Sequence, residues 1–267
     1  ALKSVKIPNT GYNRHFKWLK EAQINYPNPE KQSEIVAVLD SISSIVGQRQ
    51  QQLQKLDELV KARFVELFGD TNKFDSAPLA QSVEEMFIGP FGSSLKNECF
   101  VSANEGYCMV YEQKHAIRKT MNVETRYIDE KKYSELRRFT VQSGDIIVSC
   151  RGTIGETYII PDDAPMGIMH PSIMKIRLKS NIYDPTFFNY LLQSVLKRHE
   201  TEANGSGVKM AITANALGKE KFIIPSLMLQ KQFASLAKQT DKSKVVIQKA
   251  LDEAQVLFDS LMQKYFE

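Results

Sequence analysis

The sequence contains no apolar run that approaches the roughly 20 residues needed to span a membrane, and we expect no signal peptide. Cysteine is scarce: there are three among 267 residues, and none stands in a Cys-x-x-Cys arrangement. This usage favours reduced thiols over a disulfide or zinc framework, so we expect a cytoplasmic protein. The four histidines have no ligand spacing to one another or to the cysteines, and we expect no metal site.

Catalytic motifs are missing as well. There is no G-x-S-x-G, no P-loop lysine, no H-E-x-x-H and no strand followed by G-x-G-x-x-G. The run Asp184-Pro185-Thr186-Phe187 distantly resembles the Asp-Pro-Pro-Tyr box of amino-methyltransferases, but here it opens a predicted helix. In that setting Asp184 is expected to cap the helix and Pro185 to occupy its first turn. An adenine methyltransferase is therefore the least favoured hypothesis.

The net charge of +4 is unevenly distributed along the chain. Residues 1–28 carry five basic side chains and one acidic side chain, whereas residues 70–216 carry 17 basic and 18 acidic side chains. The central segment therefore has no bulk positive charge. If it binds nucleic acid, it must do so through a local basic face.

A long heptad pattern occurs twice in the chain. Apolar residues recur in alternating steps of four and three from Ile35, and the same register returns 198 positions later from Phe233. The pattern predicts two helices of matched length with apolar seams that pack on each other. The seam residues are Ile35, Leu39, Ile42, Val46, Leu53, Leu56, Val60 and Leu67 in the first copy and Phe233, Ile247, Leu251, Phe258 and Leu261 in the second.

These patterns divide the chain into four predicted parts. Asn28 and Pro29 suit a helix start and Gly69 a helix stop, which predicts a first spacer helix over 28–69 and a second over 226–267. Residues 70–225 form an inserted domain, and residues 1–27 correspond by the same offset to the end of such a domain. The predicted fold class is α+β: a mixed domain inserted between two long helices that form an antiparallel coiled-coil hairpin.

The inserted domain mixes short predicted strands with polar, glycine-rich loops. Residues 173–178, for example, alternate as a half-buried strand should. The loops carry Ser, Thr, Lys, Arg and His, whose side chains reach phosphates and base edges in DNA complexes. By composition alone DNA binding is only one reading, because such loops also simply close hairpins. A coiled-coil protein-interaction module without DNA specificity is the alternative hypothesis.

Several stretches resemble the specificity subunit of Type I restriction-modification systems. Residues 89–96 read G-P-F-G-S-S-L-K, and residues 144–155 are similar to that family's G-D-I-L-I-S-x-x-G-T-I-G. Residues 185–192 resemble its P-x-F-L-x-Y-x-L helix, and residues 24–32 and 222–232 resemble its junction into a long spacer helix. The order and spacing of these stretches cover most of the chain.

The resemblance implies a non-catalytic subunit that reads half of a bipartite site on double-stranded DNA through a target recognition domain. It also implies that the spacer helices scaffold methyltransferase and restriction subunits. The cofactor, S-adenosylmethionine, would belong to the methyltransferase partner, and this chain would hold none. Since the chain has one full recognition domain, a homodimer through the helices would rebuild a two-domain reader.

We predict that DNA is contacted by polar and basic side chains of the inserted domain's loops. Where the family commonly has N-Q-N before a strand, this chain has His170-Pro171-Ser172, so its base preference there does not carry over. The predicted DNA-binding residues are Ser93, Ser94, Lys96, Lys114, His115, Arg118, Lys119, Ser149, Arg151, Thr153, His170, Ser172 and Lys209.

Overall fold

The structure, a computed structural model, describes residues 26–151, 153–206 and 213–266. The chain divides into a helical unit, made of residues 1–62 and 239–267, and a mixed unit, made of residues 63–238. The domain remnant predicted for residues 1–27 lies outside the described residues, apart from Tyr26 and Pro27.

Two long helices supply the described part of the helical unit. Helix α1 runs Pro29–Phe68 and helix α7 runs Leu227–Phe266. As expected for a cap, the Asn28 side chain accepts a hydrogen bond from the Lys31 backbone N–H at 2.8 Å. The helix ends at Phe68, one residue before Gly69, where a glycine stop was expected.

Contacts between the two long helices show that they run antiparallel. Lys244 of α7 forms an ion pair with Asp57 of α1 at 2.6 Å. Further along α1, the ring of Phe64 lies 5.4 Å from that of Phe233, nearer the start of α7. Residue numbers thus rise along one helix as they fall along the other, which is the geometry of an antiparallel hairpin.

Side-chain exposure in the helical unit follows the heptad register. Between residues 31 and 62, the side chains that are not exposed are Ile35, Leu39, Ile42, Val46, Arg49, Leu53, Leu56 and Val60. Between residues 239 and 266 they fall on the corresponding register positions, including Ile247, Leu251, Phe258 and Leu261, with Ala250 as the exception. The seam therefore faces the partner helix, while the remaining positions face solvent.

The mixed unit is built from short strands and helices joined by loops. In chain order they are β1 Ser76–Pro78, α2 Leu79–Ser82, β2 Val83–Ile88, β3 Cys108–Tyr111, α3 Gln113–Arg118, β4 Arg126–Ile128, α4 Glu130–Leu136, β5 Thr140–Val141, β6 Ile146–Ser149, β7 Thr157–Ile159, β8 Gly167–Met169, β9 Ile173–Leu178, α5 Pro185–Ser206, α6 Ala214–Lys219 and β10 Lys221–Ile223.

These strands form three sheets in the described part of the mixed unit. Strands β1 and β10 make a two-stranded sheet. The second sheet has the order β2-β9-β6-β7 with every neighbouring pair antiparallel. The third has the order β4-β3-β8-β5, in which β3 and β8 are parallel and the other pairs antiparallel.

Strand β3 shows how the core is layered. Cys108 and Val110 pack into one apolar cluster, and Met109 and Tyr111 pack into another that includes Ile147 of β6. Because successive side chains of a strand point to opposite faces, both faces of the third sheet are covered. This explains why all four residues of β3 are buried.

Strand β9 differs from the half-buried strand that its alternation predicts. Its first four residues are all buried, and Lys175 among them is 1% exposed. The ammonium group remains inside because it pairs with Glu85 at 2.9 Å and donates to the Thr140 carbonyl at 2.9 Å. Strand β9 lies between β2 and β6, so sheet neighbours and core clusters cover positions that the pattern alone assigns to solvent.

Helix α5 begins as predicted and packs deeply in the mixed unit. The Asp184 carboxylate accepts hydrogen bonds from the backbone N–H groups of Thr186 at 2.9 Å and Phe187 at 3.1 Å, so Asp184 caps the helix. Phe187 is fully buried, and its ring lies 4.6 Å from that of Phe68. The end of α1 is thereby packed into the core of the mixed unit.

Candidate nucleic-acid interface

Antiparallel pairing in the second sheet brings three loops to the same end. Ile88, the last residue of β2, pairs with Met174, and Ser149, the last residue of β6, pairs with Ile173. Thr157, the first residue of β7, pairs with Val148. The segments 89–96, 150–156 and 170–172 therefore leave the sheet at one edge.

The third sheet adds a fourth segment to this edge. Tyr111, the last residue of β3, pairs with Met169, and its carbonyl accepts a hydrogen bond from the His170 N–H at 2.9 Å. Helix α3 follows Tyr111 and ends at Arg118, and the ammonium of the next residue, Lys119, lies 3.5 Å from Glu156 of the β6–β7 loop. The segments 89–96, 112–119, 150–156 and 170–172 form what we call the loop end.

The loop end is basic although the inserted domain is not. Its four segments contain five basic side chains and two acidic ones, a difference of +3. The basic residues are Lys96, Lys114, Arg118, Lys119 and Arg151. Residues 70–216 together carry a charge of −1, so the loop end is more positive than the domain as a whole. A local basic face of this kind attracts a polyanion.

The first of these segments is held tightly against the sheet. The Gly89 N–H donates to the Ile173 carbonyl at 2.9 Å, and a Cβ at Gly89 would lie 2.3 Å from the His170 carbonyl oxygen. Only glycine therefore allows this close approach. Further along, Ser93 and Lys96 are exposed and Ser94 is half-buried.

The β6–β7 loop separates a structural serine from its exposed neighbours. Ser149 is fully buried, and its hydroxyl accepts a hydrogen bond from the Glu156 N–H at 3.0 Å. The prediction that Ser149 contacts DNA is therefore replaced by a role in closing the loop, because its side chain does not reach the surface. Arg151 and Thr153 are exposed.

His170 carries a hydrogen-bond donor whose position the structure determines. Its Nδ1 atom accepts the Ser172 backbone N–H at 3.2 Å and lies 2.8 Å from the Ser172 hydroxyl. Burial lowers the pKa of His170, so the ring is neutral near pH 7. A neutral ring that accepts at Nδ1 holds its proton on Nε2. Ser172 is itself buried, so it orients His170 and, contrary to the prediction, does not present its own side chain.

His115 is the second predicted contact that the structure places inside. The ring is fully buried and its Nδ1 accepts the Glu112 backbone N–H at 3.0 Å, which completes a capping box at the start of α3. Burial lowers its pKa, with Glu112 opposing the shift. His115 therefore stabilises the helix that carries the exposed Arg118 and that Lys119, also exposed, directly follows.

Glu112 and Arg126, two charged residues of this region, are absent from the predicted DNA-binding set. Arg126 of β4 forms an ion pair with Glu112, and its guanidinium lies over the ring of Phe100 at 3.9 Å. Lys114 contacts the same carboxylate at 2.9 Å. Burial alone would raise the pKa of Glu112, but the hydrogen bonds from Arg126 and Lys114 outweigh burial and lower it. No local pattern signals this pairing, since it depends on β3 lying beside β4.

Three further expectations from the sequence concern Lys209, a metal site and a membrane span. Lys209 lies outside the described residues. Within the described ranges, no group of three or more His, Cys, Asp and Glu side chains is arranged to hold a metal ion. None of the helices in the described part of the chain combines the length and apolar character that a bilayer span requires.

The fold matches solved structures of Type I specificity subunits. The HsdS subunit from Thermoanaerobacter tengcongensis aligns with a TM-score of 0.57 at 15% identity, over 99% of this chain and 65% of that one. The S subunit from M. genitalium aligns with a TM-score of 0.53 at 15% identity, over 90% and 62%. A chain from a structure on assembly and conformational transition of the type I R-M system aligns with a TM-score of 0.65 at 15% identity, over 100% and 67%.

At these identities the structural matches establish the fold, and the chain spans 65% of the length of the first of them. The α+β fold class predicted from the sequence is thereby confirmed. A search of proteins with curated functions found no match. The model of the Type I restriction modification DNA specificity domain matches residues 94–254, which is more than half of the chain. The chain therefore belongs to the family of Type I restriction-modification specificity subunits.

Proposed function

We propose that this chain is a sequence-specific DNA-recognition subunit of a Type I restriction-modification enzyme and that its loop end reads half of a bipartite target. The observation that supports this most is the convergence of four polar segments with a charge of +3 on one edge of two sheets. Phosphates would be bound by the lysines and arginines, and base edges by the side chains nearest the sheet.

His170 and Arg151 are the residues to which we assign base reading. Nε2–H of His170 is a single donor, so it fits an acceptor in the major groove, such as N7 or O6 of guanine. Arg151 is exposed and offers two parallel donors, which suit the same pair of guanine acceptors. Ser93, Ser94, Lys96 and Thr153 would complete the interface.

The long helices suit a scaffolding role. In this proposal, α1 and α7 form the spacer that sets the distance between half-sites and binds the methyltransferase and restriction subunits in the cytoplasm. This chain performs no chemistry, and S-adenosylmethionine binds to the methyltransferase partner. A homodimer through the helices would bring two loop ends into two-fold symmetry and would read a palindromic split site.

The test is selection of duplexes from a random-sequence pool by the chain, alone and together with its methyltransferase subunit. Sequencing of the retained duplexes is expected to reveal one motif. Arg151→Ala should weaken binding to the enriched duplex by about 1–3 kcal/mol while sparing binding to unrelated duplexes. Arg198→Ala serves as a matched control, because its guanidinium pairs with Glu220 beside β10 and it belongs to none of the four segments of the loop end.

The alternative, a coiled-coil module without DNA specificity, predicts a different outcome. The chain would then bind its protein partners but enrich no sequence, and Arg151→Ala would behave like Arg198→Ala. Binding to every duplex with the same affinity would likewise count against base reading and would leave only phosphate contacts.

A further inference from the structure

Phe91 is a large apolar side chain held in solvent by a well-packed loop. Its side chain is 86% exposed. The residues around it are anchored: Pro90 is buried, Leu95 is 5% exposed, and the Phe91 carbonyl accepts the Ser94 N–H at 2.8 Å. The outward position of the ring is therefore a property of the folded loop and does not arise from slack in the chain.

The surroundings of Phe91 do not resemble a protein-docking patch. Gly92 and Ser93 beside it are exposed, Lys96 carries a charge, and a Cβ at Gly92 would meet nothing within 4 Å. Protein-binding sites usually present contiguous apolar patches of a few hundred Å². Phe91 is a single ring surrounded by open space, hydroxyl groups and an ammonium group. These surroundings suit a base step in DNA, which presents an aromatic surface bordered by phosphates.

We propose that Phe91 is a wedge that inserts against a base step of the bound duplex, partly unstacks it and bends the DNA. The proposal rests on the proposed function, because it adds a distortion to the DNA contact of the loop end. Apolar wedges of this kind unstack one step and bend the duplex by tens of degrees. Pyrimidine–purine steps unstack most readily, so the half-site should contain such a step opposite Phe91.

The loop that carries Phe91 is rigidly attached to the sheet. Gly89 lies against the His170 backbone, so the loop that carries Phe91 is fixed relative to the proposed base-reading donor of His170. A wedge on a mobile loop would lose most of its effect, since the loop would yield in place of the stacked bases. Here the Phe91 ring and the His170 donor lie at the same loop end, so the distortion of the DNA would occur next to the bases that His170 reads.

The experiment uses the duplex that the wild-type chain enriches, with a donor and an acceptor dye at its two ends. Wild-type binding should raise energy transfer, because bending brings the dyes closer. Phe91→Ala should bind the intact duplex about fivefold or more weakly, as expected for loss of one base–aromatic stack, and should bend it less. On a duplex with a single-nucleotide bulge at the same step, the difference between the two proteins should shrink.

A fluorescent variant gives an independent reading. The sequence contains one tryptophan, Trp18, so Phe91→Trp adds a second whose emission is obtained by difference from the wild type. Stacking on a base should quench this added emission when the enriched duplex is titrated in. Met166→Trp is the matched control, because Met166 is 44% exposed and precedes β8 at the opposite end of that strand from His170, so its added emission should not be quenched.

The outcomes separate the two proposals. If the wild type enriches a duplex but Phe91→Ala binds and bends it like the wild type, and Phe91→Trp is not quenched, the wedge is wrong and the recognition function stands. If the wild type enriches no duplex, the recognition function is wrong and the wedge falls with it. Unchanged thermal unfolding of Phe91→Ala shows that a loss of binding is local.

Discussion

Asp145→Asn is the substitution that tests the organisation of the mixed unit most directly. Asp145 is 1% exposed and accepts two hydrogen bonds from Arg177, both at 2.8 Å, so the pair is bidentate. The same carboxylate accepts the Gln142 N–H at 2.7 Å. The hydrogen bonds that Arg177 donates to Asp145 raise the pKa of Arg177, because they favour the charged guanidinium.

The expected cost follows from what the substitution leaves behind. Breaking a buried ion pair by removing one partner costs about 3–5 kcal/mol. Asparagine retains an oxygen for the Gln142 N–H, and Arg177 keeps a second partner in Glu85 at 3.1 Å, so we expect the lower limit of about 3 kcal/mol. For a domain of this size, about 2–4 °C per kcal/mol places the drop in Tm at about 6–12 °C.

Thermal unfolding followed by near-ultraviolet circular dichroism measures this loss, because the buried Tyr111 and Tyr183 both lie in the mixed unit. The control is Asp162→Asn, the same change at an exposed carboxylate that accepts only the Ser143 hydroxyl at 2.7 Å among the hydrogen bonds of the described residues. It should shift Tm by less than about 2 °C, as surface substitutions do. If Asp145→Asn shifts Tm no more than this control, the buried pair does not stabilise the sheet and the reasoning fails.

Three further predictions concern the loop end, the hairpin and pH. Gly89→Ala places a Cβ 2.3 Å from a carbonyl oxygen and should weaken binding to the enriched duplex in an anisotropy titration. The control Gly92→Ala should leave binding unchanged, because there is open space around that position. Equal effects of the two substitutions would contradict the close approach at Gly89. Leu56→Asp puts a charge into the seam and should lower the stability of the helices by about 2 kcal/mol, as measured by circular dichroism at 222 nm. The control is Gln51→Asp at an exposed position. If Leu56→Asp lowers the stability no more than Gln51→Asp, the heptad register is wrong. Because burial lowers the pKa of His115 below its ordinary 6.5, the unfolded chain binds this proton first as pH falls. Stability should therefore be full above about pH 6.5 and decline below it, and urea unfolding at pH 7.5 and 5.5 should show a smaller decline for His115→Asn.

The features that the sequence predicts well are those that depend on local repetition. The heptad register needs only the spacing of apolar residues, and side-chain exposure in both helices follows it. The cap at Asp184 is local too, since its partners lie two and three residues ahead. The division into four parts and the DNA contacts remain predictions.

The features that the sequence does not predict depend on the pairing of strands that lie far apart in the sequence. His115 follows Lys114 in a basic stretch that composition assigns to a binding surface. Its burial results from α3 packing against β6 and β7, more than 30 residues away. Similarly, the loop end is formed by segments that are far apart in the sequence, and the parallel pairing of β3 with β8 brings the segments 112–119 and 170–172 together.

The distribution of charge explains why a near-neutral domain can present a basic edge. Within residues 70–216, Lys175 and Arg177 lie on the central strand β9 and are paired with Glu85 and Asp145, so these charges cancel inside the sheet. The loop end carries +3 of the remaining charge, which leaves −4 for the rest of the segment. A polyanion that approaches the loop end is therefore attracted to it, because exposed charges act over about 10 Å at moderate salt. From its net charge alone, this domain would not be expected to attract DNA. Because part of its charge is neutralised in buried pairs and the loop end is basic, the domain favours approach of a polyanion to the loop end.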